Sequence, residues 1–363
     1  MSKAVLILNL GTPSEPTARG LRHFYRYFFS DPYVFDIPAV GRWLLRNLII
    51  LPFRAPKTAK QYEKIWMEGG SPLKVYTDRL RDSLERALQE RSIPVLVGMA
   101  YSNPFIHEAM DELREKGITE IIVLPLFPQF STATTASVFA AVRKAAARWP
   151  RAPRLTFIDD LFSEPAFIQA WAVQISRKLP QNDPDNKVDH VIFSYHGLPE
   201  SNLRKADKND VCRFGVCCAG ISEKNRYCYR AQCMATTRGI VSALGWPDDF
   251  YSVAFQSRFG KEPWIQPYLD EHIEQLARDG VKRIAVATPS FVSDCLETIH
   301  EIGIEYAEQF TEAGGDELHL IPNLNDEPYW FNAVAEIVKP RLDAIDAMPA
   351  DQATEAAAAL RSS

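Results

Sequence analysis

The sequence predicts an α/β fold of two similar halves facing each other across a cleft. Three observations carry this. Short apolar runs alternate with amphipathic ones along most of the chain, many apolar runs stop at Gly or Pro, and a strand followed by Gly-x-Pro occurs twice. The 363 residues are enough for two domains of ordinary size.

Val5–Leu10 is the first strand, apolar from Val5 through Leu8, and it ends at Gly11-Thr12-Pro13. Helix Leu73–Leu88, strand Val95–Ala100, helix Pro104–Lys116 and strand Glu120–Leu124 follow. Leu155–Ile158 is the last strand of this half, and helix Pro165–Leu179 leads into the second. There, strand His190–Tyr195 meets His196-Gly197-Leu198-Pro199. Helix Pro263–Asp279 and strands Arg283–Thr288 and Glu317–Ile321 complete the pattern.

Two segment pairs recur in matched order. Ala4–Pro13 parallels His190–Pro199, and Met110–Pro125 parallels Ile273–Pro289. In the latter pair a helix ends at Gly117 or Gly280, as left-handed C-caps prefer, and a strand follows that stops at Pro. Duplication explains both. The expected boundaries are a first domain over 1–165 joined by a C-terminal helix over 326–345, and a second over 166–325. A fraying tail covers 346–363, where Ala, Asp and Ser dominate.

A net charge of -5 gives no reason to expect nucleic acid as a partner. The start of the chain lacks the apolar region and cleavage site of a signal peptide, and no run approaches the ~20 apolar residues of a spanning helix. The cytoplasm is the expected compartment, so disulfides are not the expected use of six cysteines. No phosphate-binding glycine loop occurs, which disfavours nucleotide enzymes.

Four features carry chemistry. His196 emerges at the carboxyl end of a strand, where ligands bind in open α/β sheets, and His is the side chain most easily tuned for proton transfer or metal ligation. Glu297, Glu301 and Glu305 recur every four residues, a line of carboxylates on one helix face. Such like charges repel by a few tenths of a kcal/mol, roughly, per pair. The line is therefore either a solvated face or a track for a cation or proton. Third, Cys212, Cys217, Cys218, Cys228 and Cys233 crowd one polar, basic stretch. Thiolates there suit zinc or an iron–sulfur cluster, and one of the five is spare. Fourth, the apolar segment 37–54 carries arginines and is too short to span a bilayer; it is either a core helix or a lip for a membrane or large apolar ligand.

These residues resemble a family. Leu8–Pro13, Gly69–Leu73, Pro125–Ser131, Ser194–Pro199, Phe255–Gly260 with Pro263-Trp264, and Pro289–Glu305 are similar, in order, to the motifs of ferrochelatases. The resemblance implies two Rossmann-like, chelatase-type domains with parallel four-stranded sheets facing a central cleft. It implies insertion of Fe²⁺, as substrate, into a porphyrin to give haem. His196 and Glu297 match the metal-binding and catalytic pair, Glu301 and Glu305 the acidic line leading away, and Trp264 an aromatic near the porphyrin. Leu10, Tyr101 and Ser131 fall at porphyrin-binding positions. Peripheral attachment to the inner-membrane surface is implied as well, as is contact with the enzyme that oxidises protoporphyrinogen in the preceding step.

Three positions depart from parts of the family. Cys295 stands where animal relatives have a second active-site His, so a two-histidine mechanism is unavailable. Ala100, beside Tyr101, replaces a porphyrin-contacting Arg of some relatives. Leu10 stands where the coproporphyrin-using branch has Tyr, which tilts the substrate from coproporphyrin III toward protoporphyrin IX. Some ferrochelatases hold a [2Fe–2S] cluster, and the resemblance implies one in the insert 204–233. Its expected ligands are Cys212, Cys217, Cys228 and Cys233, with Cys218 as substitute. Two rival readings stand beside it: a different chelatase acting on coproporphyrin III or sirohydrochlorin with iron or cobalt, and a non-enzymatic haem- or metal-carrying protein on the same scaffold.

Overall fold

The computed structural model describes residues 2–179, 187–260 and 262–347. The chain divides into two compact units. One comprises the described residues of Met1–Leu126, Thr132–Asp160 and Asp326–Ser363, and the other Phe127–Ser131 with the described residues of Leu161–Asn325. The expected tail lies, from residue 348 onward, outside the described residues.

In the first unit, β1 (Lys3–Asn9), β2 (Val95–Met99), β3 (Glu120–Pro125) and β4 (Arg154–Phe157) form a parallel sheet in the order β2-β1-β3-β4. Residues Ala4–Leu8 and Ile121–Leu124 are essentially inaccessible. Helices cover both faces of such a sheet, which is why these strands read as unbroken apolar runs. Helix Pro72–Ala87 starts with the Ser71 hydroxyl accepting from the Lys74 N–H at 3.3 Å, and turns Val75, Leu80 and Leu84 inward. The C-terminal helix Pro328–Asp346 packs against it with Trp330, Val334 and Val338 buried.

The second unit repeats the architecture. β5 (His190–His196), β6 (Tyr251–Gln256), β7 (Arg283–Ala287) and β8 (Glu317–Leu320) are parallel in the order β6-β5-β7-β8. Ile192, Ala254, Ile284 and Val286 of the strands pack with Leu269, Ile273, Ile302 and Phe310 of the covering helices. Each large side chain buried there contributes about 1.5–3 kcal/mol.

Three elements differ from the sequence expectation. β6 is absent from the expected strands, because Ser252 and Gln256 interrupt its apolar run and it lies at the sheet edge. The helix expected over Pro263–Asp279 spans Leu269–Arg278. Pro263 and Pro267 bias their predecessors away from the helical region, so 263–268 stays outside the helix and bridges Pro199 to Trp264 and Phe255 to Tyr268. The carboxylate-bearing helix, Leu296–Tyr306, is a π-helix, as are Leu45–Arg54 and Thr132–Ala136. The wider i→i+5 coil is a form that recurs at functional sites.

Candidate functional site

β5 delivers His196 at its end, half-buried. Its main chain is held on both sides: the N–H donates to the Ser290 hydroxyl at 3.1 Å, and the carbonyl accepts from the Tyr229 hydroxyl at 2.8 Å. The ring Nδ1 lies 2.7 Å from the Gly197 carbonyl. A carbonyl only accepts, so Nδ1 carries the proton and Nε2 keeps a lone pair for a proton or a cation.

Gly197 lets the chain turn in a space too tight for another residue. A Cβ there would lie 2.8 Å from the Gln256 carbonyl oxygen and 3.1 Å from the Trp264 ring. Trp264 reaches this point because 198–200 and 263–265 pair as extended chains, with Ile265 N–H on the Leu198 carbonyl at 3.0 Å. Its indole N–H donates to the Phe259 carbonyl at 2.9 Å, and its ring centroid lies 6.5 Å from that of His196. Phe291 flanks the imidazole at 6.3 Å.

The carboxylates enter from the turn after β7. Asp294, buried, accepts from Thr298 Oγ1 at 3.0 Å and Asn325 Nδ2 at 2.6 Å, which pins the start of the π-helix. Burial pushes the Asp294 carboxyl up. Cys295 occupies the helix-capping position with its N–H on Thr298 Oγ1 at 3.0 Å; burial, then the neighbouring Glu297 carboxylate, keeps its thiol protonated.

Buried Gln256 links the two arms of the site. Its Oε1 accepts from Ser194 of β5 at 2.7 Å, and its Nε2 donates to the Glu297 carbonyl at 3.0 Å. The next residue, Ser257, has a left-handed backbone (φ 65°) and donates its hydroxyl to Glu301 at 2.6 Å. Tyr306 donates to the other Glu301 oxygen at 3.0 Å. Burial raises the Glu301 carboxyl to about 7; the Ser257 bond opposes this and the nearby Glu297 charge adds to it. Glu305 is exposed, 3.6 Å from His300 Nδ1. The carboxylates thus run from half-buried Glu297, through desolvated Glu301, to solvent. Gln256, Ser257 and Asp294 were missed as site residues. Their signal is the polar pair closing an edge strand and an Asp just before the capping Cys295.

Ser131 lies in the same unit, buried. Leu10 and Tyr101 belong to the other. Leu10 is half-buried at the end of β1, and its carbonyl accepts from the Tyr101 N–H at 3.0 Å. The Tyr101 hydroxyl donates to Asp31 at 2.6 Å, as does Ser137.

The cysteine segment lies between helices Glu200–Ala206 and Tyr229–Leu244. Cys217 and Cys218 Sγ are 3.8 Å apart. Cys212 also contacts Cys217, and Cys218 contacts Cys228. The hydrogen bond from Cys228, with Arg230 also nearby, pulls the Cys218 thiol down to about 5, while Cys228 is raised as the donor of that bond. Cys233 lies inside the helix Tyr229–Leu244, fully buried, and contacts Tyr229. Among the described residues, no three His, Cys, Asp or Glu side chains are arranged to hold a single metal ion.

The segment 37–54 is no core helix. It forms helix Ala39–Leu44 running into the π-helix, with Ile50 and Leu51 turned inward. Val40 is 71% exposed, Trp43 54%, Leu48 57% and Phe53 74%. No helix among the described residues is long and apolar enough to cross a membrane.

The chain is similar to known proteins over nearly its whole length. A family model described as Ferrochelatase matches residues 2–342. A protein named Ferrochelatase from Coxiella burnetii (strain CbuG_Q212) is 44% identical over 343 residues, 93% of each chain. Another from Legionella pneumophila (strain Corby) is 39% identical over 342 residues, 94% of this chain and 100% of the relative. Among solved structures, SirB from Bacillus subtilis with Fe3+ covers 93% of this chain and 95% of its own, at 14% identity and a TM-score of 0.49.

Proposed function

The chain belongs to the ferrochelatase family, the metal chelatases that insert Fe²⁺ into a porphyrin, and from this premise we propose that its substrate is protoporphyrin IX and its product protohaem. The observation that carries the chemistry is the Ser194–Gln256–Glu297 tether, which holds the carboxylate helix to the strand bearing His196. As Fe²⁺ enters the macrocycle, two pyrrole N–H protons must leave. His196 Nε2, with its lone pair kept by the Nδ1–Gly197 bond, accepts one pyrrole proton, passes it to water and then accepts the second. Glu297 steers and desolvates the incoming Fe²⁺. Glu301, raised to about 7, takes up and releases protons near neutrality and hands them toward exposed Glu305. Trp264 covers an apolar porphyrin face, and the macrocycle is bent to expose its nitrogens. Ser131, in the same unit as His196, lines the porphyrin site, and Leu10 in place of the coproporphyrin-associated Tyr supports protoporphyrin IX.

The exposed apolar face of 37–54 supports peripheral attachment to the cytoplasmic side of the inner membrane. Contact with the preceding protoporphyrinogen-oxidising enzyme belongs to the same reading. The thiols support a [2Fe–2S] cluster with one change of ligand. Cys212, Cys217, Cys218 and Cys228 are linked by successive thiol contacts, whereas Cys233 is enclosed beside Tyr229. Cys218 therefore replaces Cys233 in the proposed set. Bound there, a cluster supplies a one-electron couple and a cross-link between four chain positions.

The deciding experiment is Fe²⁺ insertion into protoporphyrin IX and coproporphyrin III in parallel, on anaerobically purified protein whose optical and EPR spectra are recorded first. Faster insertion into protoporphyrin IX is expected, with a [2Fe–2S] spectrum that survives Cys233→Ser and is lost in Cys218→Ser. Turnover confined to coproporphyrin III overturns the substrate. A colourless protein holding stoichiometric zinc overturns the cluster.

A further inference from the structure

A second group of imidazoles lies at the other end of β5. His190 opens the strand and His196 closes it, so the two are about 20 Å apart along an extended chain. His190 Nε2 lies 2.9 Å from the Ser252 hydroxyl of β6, and His272 Nε2, from helix Leu269–Arg278, lies 2.7 Å from the same oxygen. Three elements thus aim two ring nitrogens at one point.

The orientation of His190 is imposed. A backbone hydrogen bond with Asp249 also holds the His190 ring. Donation of the second ring N–H to a carbonyl is the arrangement that fixes metal-ligating histidines. Burial lowers both imidazoles, so both are neutral at pH 7 and able to ligate, and the Asp249 carboxylate adds negative charge beside His190. The His272 main chain is held by its backbone N–H on the Tyr268 carbonyl at 3.0 Å, and Ser252 by its register with Ile192.

We propose that His190, His272 and Ser252 form a second site, separate from the chelation site, for one divalent transition-metal ion. Two imidazoles and a hydroxyl select late first-row ions such as Zn²⁺, Ni²⁺ or Cu²⁺ over Mg²⁺ and Ca²⁺. His272 ligates through Nε2 once its ring proton moves to Nδ1, so binding releases no net proton. Water completes the coordination, which makes the ion exchangeable. Because it joins β5, β6 and the covering helix, the ion stabilises the folded unit in proportion to its occupancy.

The probe is Ni²⁺ alone, dialysed to equilibrium against the full chain. His190→Ala and His272→Ala are each expected to bind one equivalent less than wild type and to lose the Ni²⁺-dependent rise in Tm. Both should keep the basal rate of iron insertion. His196→Ala should keep that equivalent, which separates failure here from failure of the chelation reading. Equal uptake by wild type and both variants, or loss in one alone, overturns the proposal. Should either variant fail to fold, imidazole NMR of the unsubstituted chain decides. Paramagnetic Ni²⁺ should broaden the His190 and His272 signals together, and their remaining sharp at saturating Ni²⁺ overturns the site.

Discussion

The two halves share one strand order, yet their first strands end in opposite chemistry. β1 hands over to Leu10-Gly11, and the end is closed by neutral partners. Asn9 bonds Thr77 at 3.0 Å and the Leu10 N–H at 2.8 Å, and the Leu10 carbonyl takes the Tyr101 N–H. β5 hands over to His196-Gly197, where the strand end presents an imidazole beside a carboxylate helix. Both glycines solve a crowding problem, though a different one in each half. Gly11 takes a left-handed φ of +96° against Ser102, and Gly197 passes between Gln256 and Trp264. One scaffold, used twice, thus ends its first strand in an apolar side chain in one copy and in an imidazole in the other.

The largest test of that asymmetry is His196→Ala. Loss of a positioned base is expected to lower kcat for iron insertion by about 10²–10⁴-fold, while porphyrin binding by fluorescence quenching persists. Leu10→His in the same variant should not restore turnover. Wild-type activity in His196→Ala would break the comparison.

Next come the glycines. Gly11→Ala and Gly197→Ala should each cost about 1–3 kcal/mol in urea denaturation, through a strained φ and a clash respectively. Only Gly197→Ala should also lower kcat per folded molecule, because it displaces the turn that holds His196.

A pH test sharpens the second half. Folded Glu301 titrates at about 7 against 4.5 for an ordinary Glu, so the native state holds an extra proton between these values and stability falls as pH rises through the window. Glu301→Gln removes that loss. Its urea midpoint relative to wild type should therefore be higher at pH 8 than at pH 5, and an unchanged difference would contradict the raised carboxyl.

The smallest expected effect on stability is at the lip. Val40→Ser and Phe53→Ser should change unfolding free energy by no more than about 0.5 kcal/mol, since both side chains face solvent. They should weaken sedimentation with anionic lipid vesicles, and undiminished sedimentation would remove this face from membrane attachment.

Much of the frame was legible because its signals are local. Apolar runs such as Val191–Tyr195 mark strands buried on both faces, Gly117 and Gly280 mark helix ends, and the repeated Gly-x-Pro marks the duplication. β6 was not legible, since an edge strand need not be apolar throughout. Neither was the π-helix at Leu296–Tyr306, because a carboxylate every fourth residue reads as an ordinary helix face.

The amino-acid order alone determined the α/β class, the place of His196 at a strand end, and which residue types cluster. These follow from side-chain periodicity and backbone stereochemistry within a few residues. Tertiary structure decided what surrounds each group. Gln256 bridges β5 to Glu297, Ser257 and burial set Glu301 apart from exposed Glu305, Cys218 rather than Cys233 joins the thiol chain, and segment 37–54 faces outward. Those outcomes depend on contacts between residues tens of positions apart and on how much water is removed from each, and neither quantity is written in local sequence.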